Sequence, residues 1–175
     1  LNVLGDDKHN HFFLVLSHTL ANVYGMEGYF KSALEIDKEG IRISEELNSP
    51  RNKVTFLDNK ANCFMYSKQL DSAAYYFNEC LKIDIAIGEK KQVADTYANL
   101  GMLSMFKNDS RAAEQNLLKS ISILKAIKQK PNLIRTYTAL ADVYKQQGRY
   151  DKAYATQLEK EAINQQLISE KKEAA

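Results

Sequence analysis

Residues 131–160 read PNLIRTYTALADVYKQQGRYDKAYATQLEK. Ile134, Tyr137, Leu140, Ala141 and Tyr144 recur at three- and four-residue spacing, the stripe of one helix. Gly148 follows, and glycine tolerates the left-handed conformation that ends a helix. Asp151 then suits the first turn of a second helix, which carries Ala153. The segment therefore reads as two helices joined by a tight turn.

Working outward, the same arrangement recurs at a spacing of forty residues. Ala33, Ala73, Ala113 and Ala153 fall in one column. Twelve residues upstream stand Ala21, Ala61, Gly101 and Ala141, all small. A third column holds Gly28, Lys68, Asn108 and Gly148, at the turn. Asn108 can end a helix as Gly148 does, whereas Lys68 needs support from tertiary contacts. Asp71 matches Asp151, and both prolines, Pro50 and Pro131, lie between blocks, where one helix ends and the next begins. No segment alternates with period two for the length of a strand. The small columns let two antiparallel helices approach closely, with Phe64, Phe77, Leu100 and Leu117 filling the flanks. One such pair cannot bury its apolar face alone, so successive pairs stack into a solenoid.

These columns resemble the tetratricopeptide repeat. The family pattern is clearest as Tyr97, Leu100, Gly101, Ser104, Ala113 and Leu117, and again as Tyr137, Leu140, Ala141, Tyr144 and Ala153. The resemblance covers about residues 11–165. It implies an all-α, right-handed solenoid of four antiparallel helix pairs. The expected repeats are 11–50, 51–90, 91–130 and 131–165 within a single domain, with 166–175 a helical tail leading onward. The sequence departs from the pattern at Lys60 for a leucine, at Ser17 for the first aromatic, and at Asp37 and Gln157 for the later aromatic. The period exceeds the usual repeat of about 34 residues, and the expected place for the surplus is a longer second helix. Long repeats of this kind resemble those of bacterial sensors and regulators, including Bacteroidetes regulators and Gram-positive peptide-pheromone receptors.

Composition narrows the function. The chain has 175 residues, 45% hydrophobic and 26% charged, with a formal net charge of +2. This is the composition of a folded globular chain. The near-balance of charge argues against nucleic-acid binding, which needs a basic stripe. No apolar run reaches the ~18 residues of a membrane span, and the polar start, Leu1 to Asn10, is no signal peptide. The chain does not begin with Met, which suggests an excerpt of a longer product. Two unpaired cysteines, Cys63 and Cys80, read as buried small hydrophobes and lean weakly toward a reducing, cytoplasmic compartment; a periplasmic sensor is the alternative.

Chemistry is sparse. His9, His11 and His18 are the three histidines. His11 and His18 share a helical face, but no carboxylate or thiolate nearby completes a metal set, so they read as surface residues near a frayed start. No glycine-rich phosphate loop and no activated nucleophile is visible, and neither an enzyme nor a cofactor is expected. The first helix of each pair should line the concave face. There Asn22, Asn59, Asn62 and Asn99 form a ladder whose amides match the backbone of an extended peptide. Met65, Tyr66, Met102, Met105 and Phe106 form an adaptable apolar cluster, although packing between repeats, or against a neighbouring chain, is the commoner fate of such a stripe. The family's clamp for C-terminal carboxylates would draw on Asn62, Asn99 and Arg135, but Asp58 and Ala139 stand where further cations are needed. The expected function is a protein- or peptide-binding scaffold. The alternative is a ligand- or peptide-sensing domain of a larger bacterial signalling or transcriptional regulator. The apolar residues Leu158, Ile163, Leu167 and Ile168 point to self-association or a further contact through the C-terminal helix.

Overall fold

The computed structural model describes the backbone of residues 3–173 and the side chains of residues 12–173. His9 and His11 lie outside the described side chains. The described residues form eight α-helices and no strand: α1 (Val3–Met26), α2 (Phe30–Glu46), α3 (Pro50–Tyr66), α4 (Leu70–Ala86), α5 (Lys90–Phe106), α6 (Ser110–Ala126), α7 (Lys130–Gln146) and α8 (Tyr150–Glu173). Helices α3, α5 and α7 begin at residues 50, 90 and 130, so the forty-residue period of the sequence is the period of the backbone.

One expectation is corrected. The surplus over a shorter repeat does not lie in the second helices. Each of α2 to α7 has 17 residues, and only the terminal helices α1 and α8 reach 24. The linkers are three residues long and alike, so the extra length is shared equally between the two helices of a pair.

The chain forms two compact units, Leu1–Gly88 and Glu89–Ala175. In the first, α1 packs on α2, α2 on α3 and α3 on α4, and α1 also touches α3. In the second, α5 packs on α6, α6 on α7 and α7 on α8, and α5 touches α7. Both small columns are buried: Ala21, Ala33, Ala61 and Ala73 in the first unit, Gly101, Ala113, Ala141 and Ala153 in the second. The crossing of α5 and α6 is the tightest. A Cβ on Gly101 would lie 2.7 Å from Leu117 Cγ and 3.4 Å from the carbonyl oxygen of Ala113. The first unit's core joins Leu14, Ile43 and Phe56, with a second cluster of Val54, Leu57 and Cys80. The second unit's core runs from Ala94 through Leu117, Ile121 and Leu124 to Leu133, Leu140 and Val143.

Helix ends share one device. Gly28, Lys68, Asn108 and Gly148 all have positive φ, and so do Asn48, Gly88 and Lys128 at the ends of the second helices. At Lys68 the backbone N–H reaches the Met65 carbonyl at 3.1 Å, and the Gln69 N–H reaches that of Phe64 at 2.8 Å. This pair of bonds satisfies the last carbonyls of the helix and holds the left-handed residue between them. Lys68 and Lys128 adopt the conformation at φ 67° and 56° without glycine's freedom. Lys68→Gly and Lys128→Gly are each expected to stabilise the fold by about 1 kcal/mol. Urea unfolding checks this, and a loss of stability in either variant would contradict it.

The departures from the family pattern have local explanations. Lys60, in a leucine column, places its ammonium 4.6 Å from the centre of the Tyr76 ring. Gln157, in an aromatic column, is exposed on α8, which packs against α7. The tail past Gln157 rests on its own unit: Ile163 packs against the core, and Glu159 and Glu170 pair with Lys125 and Lys130.

Candidate functional site

The first helices, α1 with α3 in one unit and α5 with α7 in the other, carry the expected contact residues. Residues three and four apart share a helical face, which sets the stripes. On α3 the stripe is Thr55, Asn59, Asn62 and Tyr66. On α5 it is Asp95, Asn99, Met102 and Phe106.

In the first unit, Asn59 donates its Nδ2 to Nδ1 of His18 at 3.0 Å, tying α3 to α1. His18 is half-buried, with its ring edge-on to Phe56 at 6.2 Å, and burial lowers its pKa. It is therefore no loose surface histidine, which corrects the expectation. Asn62 donates to the carbonyl and to the carboxylate of Asp58 on its own helix, at 2.9 and 3.0 Å. Asn22, Met26 and Tyr66 are exposed, whereas Met65 is fully buried.

Beneath Asn59 lies Asp37. It is wholly buried, and neither carboxylate oxygen meets a hydrogen-bond donor within ordinary geometry. Burial pushes its pKa up to about 7, with Asn59 and Lys60 pulling it back and the charge of Asp58 adding to the rise. The buried Cys63 is pushed up to about 11 by burial and by Asp37, and burial also raises Cys80. Both cysteines are free, buried thiols, so neither offers a thiolate nucleophile near neutral pH. Sequence reasoning noticed Asp37 as a departure but missed that it would be buried. Its column mates, Phe77 and Leu117, are both core residues, and that was the available signal.

In the second unit, Asp95 is the polar hub. It accepts from Lys91 at 2.9 Å, from Asn132 at 2.6 Å and from Arg135 at 3.3 Å. Arg135, expected to meet a ligand carboxylate, is thus already paired with a carboxylate of its own unit. Asp142 and Lys145 pair at 3.1 Å. Asn99 is buried, and Met105 packs against the core cluster. Met102 and Phe106 are half-buried, one turn apart on α5. Among the expected residues, the structure brings Asn59 to His18 and Asn62 to Asp58. It leaves Asn22 and Tyr66 at the surface, with Met102 and Phe106 only partly covered. Among the described residues no group of three or more His, Cys, Asp and Glu side chains could hold a metal ion. No helix among them is long and apolar enough to cross a membrane. This arrangement can bind through shape, amides and thioethers, and it presents no activated nucleophile.

Residues 92–159 match the family profile described as tetratricopeptide repeat. No curated protein sequence matches the chain. Among solved structures the chain is similar to BtubC (BKLC) from P. vanneervenii, with 23% identity over 88% of this chain and a TM-score of 0.76. It is also similar to aspartyl phosphate phosphatase F from Bacillus subtilis, with 17% identity over 91% and a TM-score of 0.82. A third likeness is to a Rap protein complexed with competence and sporulation factor, with 18% identity over 82% and a TM-score of 0.75. The chain spans 64%, 41% and 41% of those three chains. At these identities the likeness establishes the fold: an all-helical array of tetratricopeptide-type helix pairs.

Proposed function

We propose that this array of tetratricopeptide-type helix pairs is a protein- or peptide-binding module that uses the faces of its first helices. The observation that carries the reading is the pair Met102 and Phe106. They are half-buried on α5, one turn apart, and share a helical face with the Asp95 network. An adaptable thioether beside an aromatic ring takes apolar side chains of varied shape. The paired charges around Asp95 fix the rim without leaving a large unbalanced field. In the first unit Asn22, Asn62 and Tyr66 are the corresponding contacts. Asn59, Asn99 and Met105 support them from beneath. The amide of Asn62, a donor and an acceptor, suits a peptide backbone.

A peptide-display library, screened against the wild type and a Met102→Ala/Phe106→Ala variant, tests the reading. Selected peptides are expected to lose about 1–2 kcal/mol or more of affinity for the variant, with the melting temperature little changed. Raising salt should weaken them only modestly, because the charges on this face are already paired. Binders indifferent to both substitutions would show that these residues only pack.

The likeness to the Rap protein solved with competence and sporulation factor favours a second reading, a peptide-sensing domain of a larger bacterial regulator. It uses the same face. It differs in requiring that a bound peptide change the hydrogen-exchange protection of helices outside the contact, which a passive scaffold does not require.

A further inference from the structure

The first helix α1 exposes a face that its counterparts bury. Phe13, Leu16, Leu20 and Val23 are 42%, 53%, 46% and 49% exposed. Forty residues on, Phe56 and Cys63 occupy the columns of Leu16 and Val23, and both are buried. In α7 the four columns hold Leu133, Thr136, Leu140 and Val143, all buried. So the four positions that are core in α7, two of which are also core in α3, are solvent-facing and apolar in α1.

The first unit shows what covers two of these columns. Phe56 packs over Gly40 of α2, where a Cβ would come within 2.4–2.5 Å of its ring, and against Ile43. Cys63 seats against α1, its Sγ 3.3 Å from where a Gly25 Cβ would stand. Phe56 therefore meets the second helix of the preceding pair and Cys63 meets the first. Leu16 and Val23 carry the same two columns at α1, so their complement is a helix pair and not a single strand or helix. Apolar faces this continuous mark contact sites.

We infer that the face of α1 formed by Leu16, Leu20 and Val23 docks another tetratricopeptide-type helix pair, stacked ahead of α1 as the α1–α2 pair is stacked ahead of α3. The occupant must present uncharged residues in the columns of Gly25 and Gly40, as the α5–α6 pair does with Met105 and Ser120, and a branched apolar residue in the column of Ile43, as that pair does with Ile123. The last pair of a second copy does not meet that description. It offers Lys145 and Lys160 in the two glycine columns, so head-to-tail self-stacking would bury two ammonium groups against Leu16 and Val23. This surface is distinct from the peptide-binding face, and its test is independent of that reading.

The test grafts a helix pair in register. Residues 90–129, which include α5 and α6, replace residues 1–9 of the chain, and a parallel graft carries Leu16→Glu and Val23→Glu. Hydrogen exchange, binding of a hydrophobic dye and thermal melting are read on both grafts and on the ungrafted wild-type and Glu-substituted chains. The grafted wild type is expected to gain protection along α1, to lose dye binding and to melt about 5 °C higher or more. The grafted Glu variant should gain none of these. The substitutions fall on exposed positions, so the ungrafted Glu variant is expected to fold as the wild type does and to bind less dye. Two outcomes would overturn the inference: equal behaviour of the two grafts, or sedimentation showing the wild type as a dimer that the Glu substitutions dissociate, since a second copy would then cover the face.

Discussion

Relative to an Asp37→Asn variant, the wild type is expected to lose stability on the order of 4 kcal/mol as pH rises from about 4 to about 7. Asp37 lies in the core, in a column filled by Phe77 and Leu117 elsewhere, and burial raises its pKa from 3.8 to about 7. Below 3.8 the folded and unfolded chains both hold the proton, and nothing is lost. Between 3.8 and about 7 the unfolded carboxyl ionises freely while the folded one keeps its proton, so the penalty on folding grows. Above about 7 both are ionised and the penalty is constant. His18 acts in the opposite sense: its pKa is lowered by burial, so its contribution is lost as pH falls below 6.5. Subtracting the variant's curve from that of the wild type removes His18 and the surface carboxylates. Urea unfolding at pH 4.5 and 8 measures the difference, and parallel curves for the two proteins would contradict it.

Ala113→Phe is expected to destabilise by about 3 kcal/mol or more, whereas Ser122→Phe on the exposed side of the same helix should change stability by less than about 0.5 kcal/mol. Ala113 is fully buried at the crossing of α5 and α6. Opposite it, even a methyl on Gly101 would press on Leu117 at 2.7 Å, so the crossing has no slack for a ring. Thermal melting separates the two substitutions. Equal melting temperatures would mean that the small columns do not mark the helix crossings.

Much of the scaffold was legible because a repeat writes the same constraint four times. A single alanine says little, but Ala33, Ala73, Ala113 and Ala153 together locate the crossing. The same reasoning placed Gly148 and Asn108 at left-handed helix ends, and even Lys68 holds to the column with positive φ. The second set of left-handed ends, Asn48, Gly88 and Lys128, went unread because it shares no residue type. Helix lengths were misjudged because only the turn after the first helix carries a glycine-rich column. The site was less legible. Polar side chains in a helix find partners that spacing alone does not reveal: Asn62 turns to Asp58, and Arg135 turns to Asp95 across to α5. Met65 and Met102 look alike in the sequence, yet one is fully buried and the other partly exposed. The apolar face of α1 escaped notice because Leu16, Leu20 and Val23 match core columns, and only the structure shows them uncovered.

The four methionines offer the most direct test of peptide binding on the first-helix faces. Met26 is exposed and Met102 half-exposed, while Met65 is buried and Met105 packs on the core. With methyl-labelled methionine, a selected peptide is titrated into the full chain and the four resonances are followed by NMR. Saturable shifts at Met102, with Met65 unmoved, are the expected result. A peptide that binds tightly while leaving the Met102 and Met26 resonances in place would contradict binding on these faces.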